Sequence, residues 1–570
     1  MIISKLRIEN YRGIRALTLK FEPTTVIFGS NNTGKSTILA AIQAVLGRAS
    51  GRRTSVFTEY DFHLDSAGQP TDAAPIVIEI TFKEGAGDEW PDAKVQQLGP
   101  VVGIGADGLQ IVTLRVTGRY DDVLNGFTST FDFLNPDGQP LPNNPNSLRR
   151  LQQLIPAFYL AALRDAAREF RSNAPFWGPF VKALKIDPAV RAQIEEELAD
   201  LNRQVLDAHE GFESVKERLA QSAGMVPLGG GAEPVSVEAL PNRVFDILAH
   251  TQVMLAGVSG AALPLSQHGE GTQSLAVICL FDAFLEARLV GEYGDGAIPI
   301  LTLEEPEAHL HPSAVRAVGR LVANLGGQKI ITTHSGDLLA SVPLTALRRL
   351  RRRGNDIDVF QVPEGAIDPA DLRRLDHHLR RLRGGVLFAR VWILVEGETD
   401  ETVILEAARI LGHDLFAMGI CCFKFTELGI EPYVKLADAF GIHWIAVADN
   451  DPAGQAYLAA AQGLLAGRAA ADHMVTLPAW DIETYLCIND YGTIYQNSAA
   501  PQKVAANPNP HQPGTPDYWQ HLVNKQQPSK GKPARVIQVI DQIDAQGAAG
   551  VPTFFHALVA LATAKAHEGV

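Results

Sequence analysis

Residues 25–36 read TVIFGSNNTGKS, a short apolar strand that runs directly into a glycine-rich loop. The loop fits the pattern GxxxxGK[ST] from Gly29 to Ser36, and an amphipathic helix reaching Leu46 follows it. This order predicts a phosphate-binding loop, because the glycines let backbone N–H groups face phosphates at the positive end of the helix. We expect Lys35 to reach the β- and γ-phosphates and Ser36 to give its hydroxyl oxygen to Mg²⁺.

The 570 residues around this loop have the composition of a globular protein. At about 150 residues per domain, the length predicts three or four domains. With 46% hydrophobic and 20% charged residues, the chain is neither wholly disordered nor collagen-like. No apolar run reaches the roughly 18 residues of a membrane span, and we expect no membrane partner. The four cysteines form no CxxC pair, which favours a reducing, cytoplasmic location.

The net charge of −14 bears on nucleic acid as a partner. A protein that holds DNA by its overall field is usually basic. Either nucleic acid is not the partner, or the contact is a local basic stripe beside an acidic, metal-loaded site. The candidate stripes are two arginine-rich segments, 348–353 and 373–383, which can hold a DNA backbone or simply form a solvated helix face.

A second apolar strand, residues 300–303, ends in consecutive carboxylates. Hydrolysis of a nucleoside triphosphate needs one acid to hold the Mg²⁺ shell and another to orient the attacking water. We assign Glu304 to the first role and Glu305 to the second. A further strand that begins at Lys329 ends in His334, which can bond a γ-phosphate.

The segment 265–274 contains Gly269 and Gly271 just before an apolar helix, so it can present a helix N-terminus to a phosphate. Together with the preceding motifs it resembles the ABC-type ATPases of the SMC and DNA-repair kind, although it departs from LSGGQ and no Q-loop glutamine is placed. The resemblance implies ATP as ligand and at least a homodimer, in which the signature of one head faces the phosphate loop of the other. It implies these nucleotide-binding residues, besides the catalytic Glu305: Gly29, Asn32, Gly34, Lys35, Ser36, Thr37, Gly269, Gly271, Glu304 and His334.

In the second half, two apolar strands also end in carboxylates. Residues 391–395 lead into Glu396, and residues 444–448 lead into Asp449 and Asp451. Parallel strands place such ends along one sheet edge, so the three side chains can converge. Carboxylate oxygens suit Mg²⁺ or Mn²⁺.

This pattern resembles the Toprim domain of topoisomerases, primases and certain nucleases. An ABC-type head followed by a Toprim domain is similar to the OLD (overcoming lysogenisation defect) family of ATP-dependent endonucleases, which includes the nuclease subunit of the Gabija antiphage system. The resemblance implies nucleotide-regulated DNA cleavage with two metals, in antiphage defence, and leaves open a helicase or other partner chain. It implies that Glu396, Asp449 and Asp451 are catalytic, with Lys532 as the basic catalytic helper. The metal ligands that it implies, in addition to Ser36, are Glu396, Asp400 or Glu401, Asp449, Asp451 and Glu483.

The fold class predicted from these motifs is α/β, an SMC-like ATPase head with a helical insertion followed by a C-terminal Toprim domain. Two other functions stay open. One is an ATP-driven DNA clamp or sensor whose Toprim domain serves a partner protein. The other is a topoisomerase-like enzyme, which needs a nucleophile such as Tyr485, Tyr491 or Tyr495. The predicted boundaries are 1–146 and 236–345 for the head, 147–235 for a helical insertion that can dimerise, 346–389 for an arginine-rich linker and 390–570 for the Toprim domain.

Overall fold

The computed structural model describes most of the chain. The described residues are 1–47, 55–64, 68–142, 145–160, 186–208, 244, 254–256, 262–293, 297–308, 310–382, 384–528 and 531–568. Much of the predicted helical insertion, residues 161–185 and 209–235, therefore lies outside them.

The strands build four sheets. In chain order they are β1 (Ile2–Tyr11), β2 (Ile14–Lys20), β3 (Thr24–Gly29), β4 (Ile76–Lys83), β5 (Gly103–Ile104), β6 (Gln110–Asp121), β7 (Gly126–Leu134), β8 (Ala157–Leu160), β9 (Met254–Ala256), β10 (Ala262–Pro264), β11 (Ile300–Glu304), β12 (Gln328–Thr333), β13 (Leu347–Arg353), β14 (Asp356–Phe360), β15 (Val391–Val395), β16 (Ile420–Lys424), β17 (His443–Ala448) and β18 (Met474–Thr476).

The described residues also form α-helices. They are α1 (Lys35–Leu46), α2 (Asp92–Leu98), α3 (Pro145–Leu154), α4 (Pro188–Asp207), α5 (Glu270–Tyr293), α6 (Pro312–Asn324), α7 (Gly336–Leu339), α8 (Pro369–Arg381), α9 (Glu398–Ile410), α10 (Ile430–Ala439), α11 (Pro452–Gln462), α12 (Ile482–Leu486), α13 (Gly492–Asn497), α14 (Pro501–Ala506), α15 (Pro516–His521), α16 (Lys532–Gln546) and α17 (Thr553–Glu568).

The first sheet is antiparallel, in the order β2-β1-β4-β6-β5, with β7 paired to β6. Buried and exposed residues alternate along its strands, because one face of the sheet is buried and the other faces water. In β1, Leu6 and Ile8 are fully buried while Lys5 is exposed. The buried face packs with Ile38 and Ile42 of α1 in one apolar cluster.

The second sheet carries the phosphate loop and has the order β14-β13-β3-β12-β11-β8. All neighbours are parallel except β13 and β14. The strands β3, β11 and β12 are almost continuously buried because helices and the first sheet cover both faces. Their carboxyl ends lie side by side, which places the phosphate loop next to the predicted acidic residues and His334.

The Toprim sheet is parallel, in the order β16-β15-β17-β18. The ends of β15 and β17 are adjacent at its centre. The head and the Toprim domain share a continuous apolar core. At their junction, the Phe28 ring of the head contacts Phe388 and Phe440 edge-on, at centroid distances of 5.3 and 5.9 Å.

Two predicted segments differ from the structure. The arginine-rich segment 346–389 is not a linker, because it contains β13, β14 and α8, and β13 pairs with β3 in the centre of the head sheet. Within the predicted helical insertion, α3 and α4 are helical, but Ala157–Leu160 forms β8. This short apolar run pairs in parallel with β11 and completes the sheet edge.

No single helix of the described residues is long and apolar enough to cross a membrane. By length and composition alone, one pair bent by 73° meets that test, Lys532–Gly550 with Thr553–Glu568.

Candidate active sites

The phosphate loop has the shape that its glycines predict. Gly29 and Gly34 adopt φ values of 155° and 89°, and a Cβ on Gly29 would lie 2.4 Å from the carbonyl oxygen of Leu350. The Lys35 ammonium folds back onto the loop and donates to the carbonyl oxygens of Gly29 (3.0 Å) and Ser30 (2.8 Å). Burial lowers the pKa of Lys35 to about 8, against the opposing effect of Glu305. A phosphate would restore the charge partner that this lysine lacks.

Glu304 stands where the sequence predicts a magnesium ligand. One of its carboxylate oxygens accepts a hydrogen bond from the Ser36 hydroxyl, and the other accepts one from the Tyr159 hydroxyl. The two predicted ligands, Ser36 and Glu304, are thus in direct contact. Sequence reasoning missed Tyr159, which lies on β8; a short apolar run after Pro156 was the available signal.

Glu305 and His334 meet beside the phosphate loop. The His334 Nε2 lies 3.4 Å from Glu305 Oε1. Glu305 has a φ of 45°, a left-handed conformation that is strained for this residue and is often found at functional sites. Burial, followed by the nearby Lys35, lowers the pKa of His334, so its imidazole is neutral at pH 7. The pair therefore faces the phosphate loop with one carboxylate and one neutral ring.

Glu307 contacts the residues at the end of β12, next to the pair formed by Glu305 and His334. Its Oε1 accepts hydrogen bonds from the Thr333 hydroxyl (2.5 Å) and from the His334 backbone N–H (3.0 Å). Burial raises the pKa of Glu307 although these bonds oppose it. Glu307 fixes the backbone of His334 and so orients its ring.

The remaining predicted nucleotide residues fall in two places. Asn32 lies within the phosphate loop and Thr37 directly follows it, and the Asn32 carbonyl oxygen accepts a hydrogen bond from Arg352 Nε (2.8 Å). Gly269 and Gly271 lie at the start of α5, as predicted. There Gln273 Nε2 donates to the carbonyl oxygen of His268 (2.6 Å) and braces the turn.

The Toprim carboxylates converge at the carboxyl edge of their sheet, as the strand pattern predicts. Glu396 follows β15, and its Oε1 accepts the backbone N–H of Asp449 (2.8 Å) at the end of β17. Asp451 caps α11 by accepting the Gly454 N–H (2.7 Å). A Cβ on Gly454 would lie 2.1 Å from the Asp449 carbonyl oxygen and 2.8 Å from Glu396 Oε1, so only glycine fits there.

These residues open onto a cleft of about 700 Å³, whose other wall comes from α12 and α16. The buried Glu483 of α12 lies 2.5 Å from the Lys532 ammonium of α16. Burial alone would lower the pKa of Lys532, but Glu483 raises it. The ionisable residues that line the cleft are Glu396, Glu398, Asp400, Lys424, Asp449, Asp451, Asp481, Glu483 and Lys532.

The carboxylates of the cleft repel one another. Burial, followed by the charges of Asp400 and Glu396, raises the pKa of Asp449 to about 8. Burial likewise raises the pKa of Asp400 to about 7, although its side chain caps α9 through the Gly397 N–H (2.8 Å). In the metal-free chain the cluster therefore retains protons at neutral pH.

A divalent cation fits this donor set. Among the described residues, no group of three or more His, Cys, Asp or Glu side chains already has the spacing to hold a metal ion. The Asp449 carboxylate, however, accepts no hydrogen bond from the described part of the chain, and four carboxylates raise its pKa. A cation would remove that repulsion, and oxygen-only donors suit Mg²⁺ or Mn²⁺.

Four further residues considered from the sequence fall outside this group. Glu401 is not among the side chains that line the cleft, whereas its neighbour Asp400 is. The three tyrosines considered as nucleophiles are buried, with exposed fractions of 6% for Tyr485, 2% for Tyr491 and 1% for Tyr495. None of these three can attack DNA from the surface, which removes the basis for the topoisomerase alternative.

Sequence reasoning also missed residues of this cleft. Asp481 caps α12 by accepting the Thr484 N–H (2.7 Å), and it helps to raise the pKa of Asp449. Its position as an aspartate directly before a helix was a usable signal. Lys424 pairs with Glu398 (2.8 Å) on the rim, and no local pattern announces that pair.

Comparison with known proteins places the chain in a family. Residues 1–228 and 233–385 match the family described as "Protein of unknown function (DUF2813)". Residues 387–451 match "Overcoming lysogenization defect protein-like, TOPRIM domain".

Individual relatives agree with this assignment. The chain is 27% identical to "Uncharacterized protein YbjD" of Escherichia coli (strain K12), over 97% of both chains. It is 27% identical to "OLD nuclease" of Thermus scotoductus (79% of this chain, 82% of the relative) and 20% identical to "Endonuclease GajA" of Bacillus cereus (79% and 75%). A solved SMC head bound to the C-winged helix domain of ScpA matches with 16% identity and a TM-score of 0.36, covering 64% of this chain and 99% of that chain.

The family identified from the sequence motifs is thereby confirmed, and so is an α/β head followed by a Toprim domain. The chain belongs to the DUF2813 family and carries an OLD-like Toprim domain.

Proposed function

We propose that this protein is an ATP-binding endonuclease that cleaves DNA. The cleavage depends on a divalent metal and is regulated by nucleotide. The observation that carries the proposal is the single cleft in which Glu396, Asp449 and Asp451 face Glu483 and Lys532. Relatives named OLD nuclease and Endonuclease GajA support the activity. We place it in antiphage defence on the family resemblance alone.

The side chains of the cleft have two proposed roles: the carboxylates bind metal, and Lys532 donates hydrogen bonds to the phosphate. Glu396, Asp449 and Asp451 would hold one divalent cation, and Asp400 with Glu483 would hold a second. Such cations polarise a phosphodiester and lower the pKa of a bound water. The Lys532 ammonium, paired with Glu483 in the free protein, would move onto a non-bridging oxygen of the scissile phosphate and stabilise its negative charge.

DNA binding at this acidic cleft requires positively charged residues close to it. Lys424 on the rim contacts both Glu398 (2.8 Å) and Glu427 (3.5 Å). Glu427 in turn pairs with Arg381 of α8 (3.2 Å), so the basic surface of α8 adjoins the cleft. The exposed basic residues of that surface are Arg373, Arg374, His377, Arg380 and Arg381. We propose that they hold the DNA backbone without reading its sequence.

The segment 348–353 has a different role in this scheme. Arg352 donates to the Asn32 carbonyl oxygen of the phosphate loop (2.8 Å), and on the same strand Arg351 donates to Gly441 of the Toprim domain (3.0 Å). Because β13 also pairs with β3 directly at Gly29, a shift of the phosphate loop moves these contacts. This strand supports our proposal that nucleotide at the head changes the Toprim cleft.

The first experiment incubates purified protein with supercoiled plasmid and Mg²⁺ or Mn²⁺, with and without ATP. We expect nicking or linearisation that Asp449→Asn abolishes. The matched control is Asp541→Asn, an exposed aspartate of α16 that is not among the residues lining the cleft. The ATP lanes give the sign of nucleotide regulation.

A different result would change the assignment. Cutting that persists in Asp449→Asn would contradict the proposed site. DNA binding without cutting, under every metal and nucleotide, would instead favour the ATP-driven clamp or sensor. We also propose at least a dimer, on the resemblance to ABC-type heads; light scattering that finds only monomer with and without ATP would contradict it.

A further inference from the structure

A second crevice lies between the phosphate loop and the Toprim domain. It has a volume of about 340 Å³, and Gly29 and Ser30 form part of its wall. Four arginines line it, and no carboxylate is among its described lining residues. The four are Arg349, Arg351, Arg352 and Arg390. In a chain with a net charge of −14, four arginines around one crevice without a lining carboxylate are a marked local concentration of positive charge.

Arg349 is the buried member of this group, with 6% of its surface exposed. Its guanidinium donates to the carbonyl oxygens of Phe440 (3.0 Å) and Ala389 (2.7 Å). Burial, followed by repulsion from Arg351 and Arg390, lowers its pKa to about 9. A cation taken out of water destabilises a fold unless an opposite charge compensates it.

Two other arginines also lack a carboxylate partner within the described chain. Arg352 donates to the carbonyl oxygens of Asn32 and Gly13, at 2.8 Å each. Arg390 is exposed, and its hydrogen bond to the Ala566 carbonyl oxygen is long (3.4 Å). These bonds orient the guanidinium groups and leave their charges uncompensated.

A neighbouring crevice shares Arg349, Arg351 and Arg390 with this one. Its other two cations are paired, Arg468 with Asp438 (2.6 and 2.9 Å) and Lys565 with Asp472 (3.0 Å). Of the four arginines of the second crevice, only Arg351 has a carboxylate partner in the described chain, Asp358 at 3.8 Å. The lack of such a partner for the other three indicates that their counter-charge comes from outside the chain.

We propose that the crevice lined by Arg349, Arg351, Arg352 and Arg390 binds a phosphate-bearing small ligand of the size of a diphosphate. Guanidinium groups match phosphate oxygens with pairs of parallel hydrogen bonds. A volume of 340 Å³ holds roughly ten waters at about 30 Å³ each, which is ample for two phosphate groups. The ring of Phe388 on the wall offers a surface to a nucleoside as well.

The test measures pyrophosphate binding by calorimetry on the full-length chain, in EDTA so that no cation loads the Toprim cleft. The background variant Lys35→Ala weakens binding at the phosphate loop. In this background we expect one equivalent of pyrophosphate per chain. Arg390→Gln, a change at an exposed position, should weaken that binding about tenfold, since one charge-assisted hydrogen bond contributes about that factor.

The matched control is Arg353→Gln, because Arg353 lies on β13 beside the other three crevice arginines, is exposed and is not among the crevice-lining residues. It should leave binding unchanged. Equal binding in Arg390→Gln and its parent, or no binding in either, would overturn the proposal. So would a short DNA duplex that binds through Arg390 when pyrophosphate does not, which would make the crevice a nucleic-acid contact.

A comparison of pyrophosphate with ADP then identifies the source of the phosphate. Tighter binding of ADP assigns the crevice to a nucleotide, while equal binding assigns it to an inorganic polyphosphate. Both results support the site, and neither depends on nuclease activity.

Discussion

Replacing Asp449 by Asn should make the metal-free protein more stable at pH 8. The carboxylate is half-buried at the sheet edge, where Asp400, Glu396, Asp481 and Glu483 oppose its ionisation. Asn has the same shape and no charge, so it removes this repulsion while leaving the backbone N–H bond to Glu396 in place. A residue that the proposed activity needs therefore lowers the stability of the fold, as is common at active sites.

The sign and size of this change in stability follow from the pKa of Asp449, which is about 8 in the folded chain against the ordinary value of 3.8. The unfolded chain releases this proton above about pH 4, and the folded chain keeps it up to about pH 8. Stability therefore falls as the pH rises through this window. The full difference corresponds to about 6 kcal/mol at 1.36 kcal/mol per pKa unit. Water in the open cleft screens most of it, and we expect a gain of about 1–2 kcal/mol for Asn.

Thermal unfolding of wild type and Asp449→Asn in EDTA, at pH 5 and pH 8, measures this effect. A gain of 1 kcal/mol raises the Tm by about 2–4 °C for a domain of this size. We expect a clear rise at pH 8 and about a quarter of it at pH 5. Added Mg²⁺ should raise the Tm of wild type more than that of the variant. An equal gain at both pH values, or a less stable variant at pH 8, would refute the electrostatic account.

Three shorter predictions test other contacts. Gly454→Ala should abolish plasmid cleavage without unfolding the chain, since its Cβ would displace the Asp449 carbonyl and the Glu396 carboxylate; gel assays and circular dichroism measure the two effects. Tyr159→Phe should lower the kcat of ATP hydrolysis about tenfold with little change in KM, because it frees one oxygen of Glu304. Arg352→Gln should leave ATP hydrolysis within about twofold and reduce the effect of ATP on cleavage, since the contact to the phosphate loop is lost.

Each of these variants has a matched control. Gly463→Ala changes a glycine at the end of the same helix, where a Cβ meets only an ordinary contact at 3.4 Å. Tyr120→Phe removes a hydroxyl from an exposed hydrogen bond in the first sheet. Arg353→Gln changes the next residue of β13. A control that behaves like its partner variant would contradict the corresponding prediction.

The convergence of the main site residues could be predicted because it depends on local patterns. A strand that ends in Glu396 and another that ends in Asp449 must meet once both strands are parallel neighbours. The phosphate loop is likewise contained in one continuous segment. Asp481 could also have been identified from a local pattern, since an aspartate before a helix is a common cap.

The role of β13 could not be predicted from its sequence. The run LRRLRRR has the charge of a surface segment, yet Arg348 and Arg349 are 2% and 6% exposed. Their donors are satisfied by backbone carbonyls of distant segments, such as Lys20 for Arg348 and Phe440 for Arg349. Only the tertiary structure brings those carbonyls together, so local charge misleads about burial.

The positions of the charges also bear on how an acidic protein handles DNA. Arg348 and Arg349 are internal and cannot contact a phosphate backbone from the surface. The candidate cations for DNA are those of α8 together with Lys424 and Lys532. The two lysines line a cleft with seven carboxylates, and the surface of α8 adjoins it. Such a cleft repels DNA until divalent cations neutralise it, because like charges in a half-buried site are poorly screened. Under the proposed function, metal binding would therefore precede productive DNA binding. The net charge of the chain by itself neither supports nor excludes a nuclease.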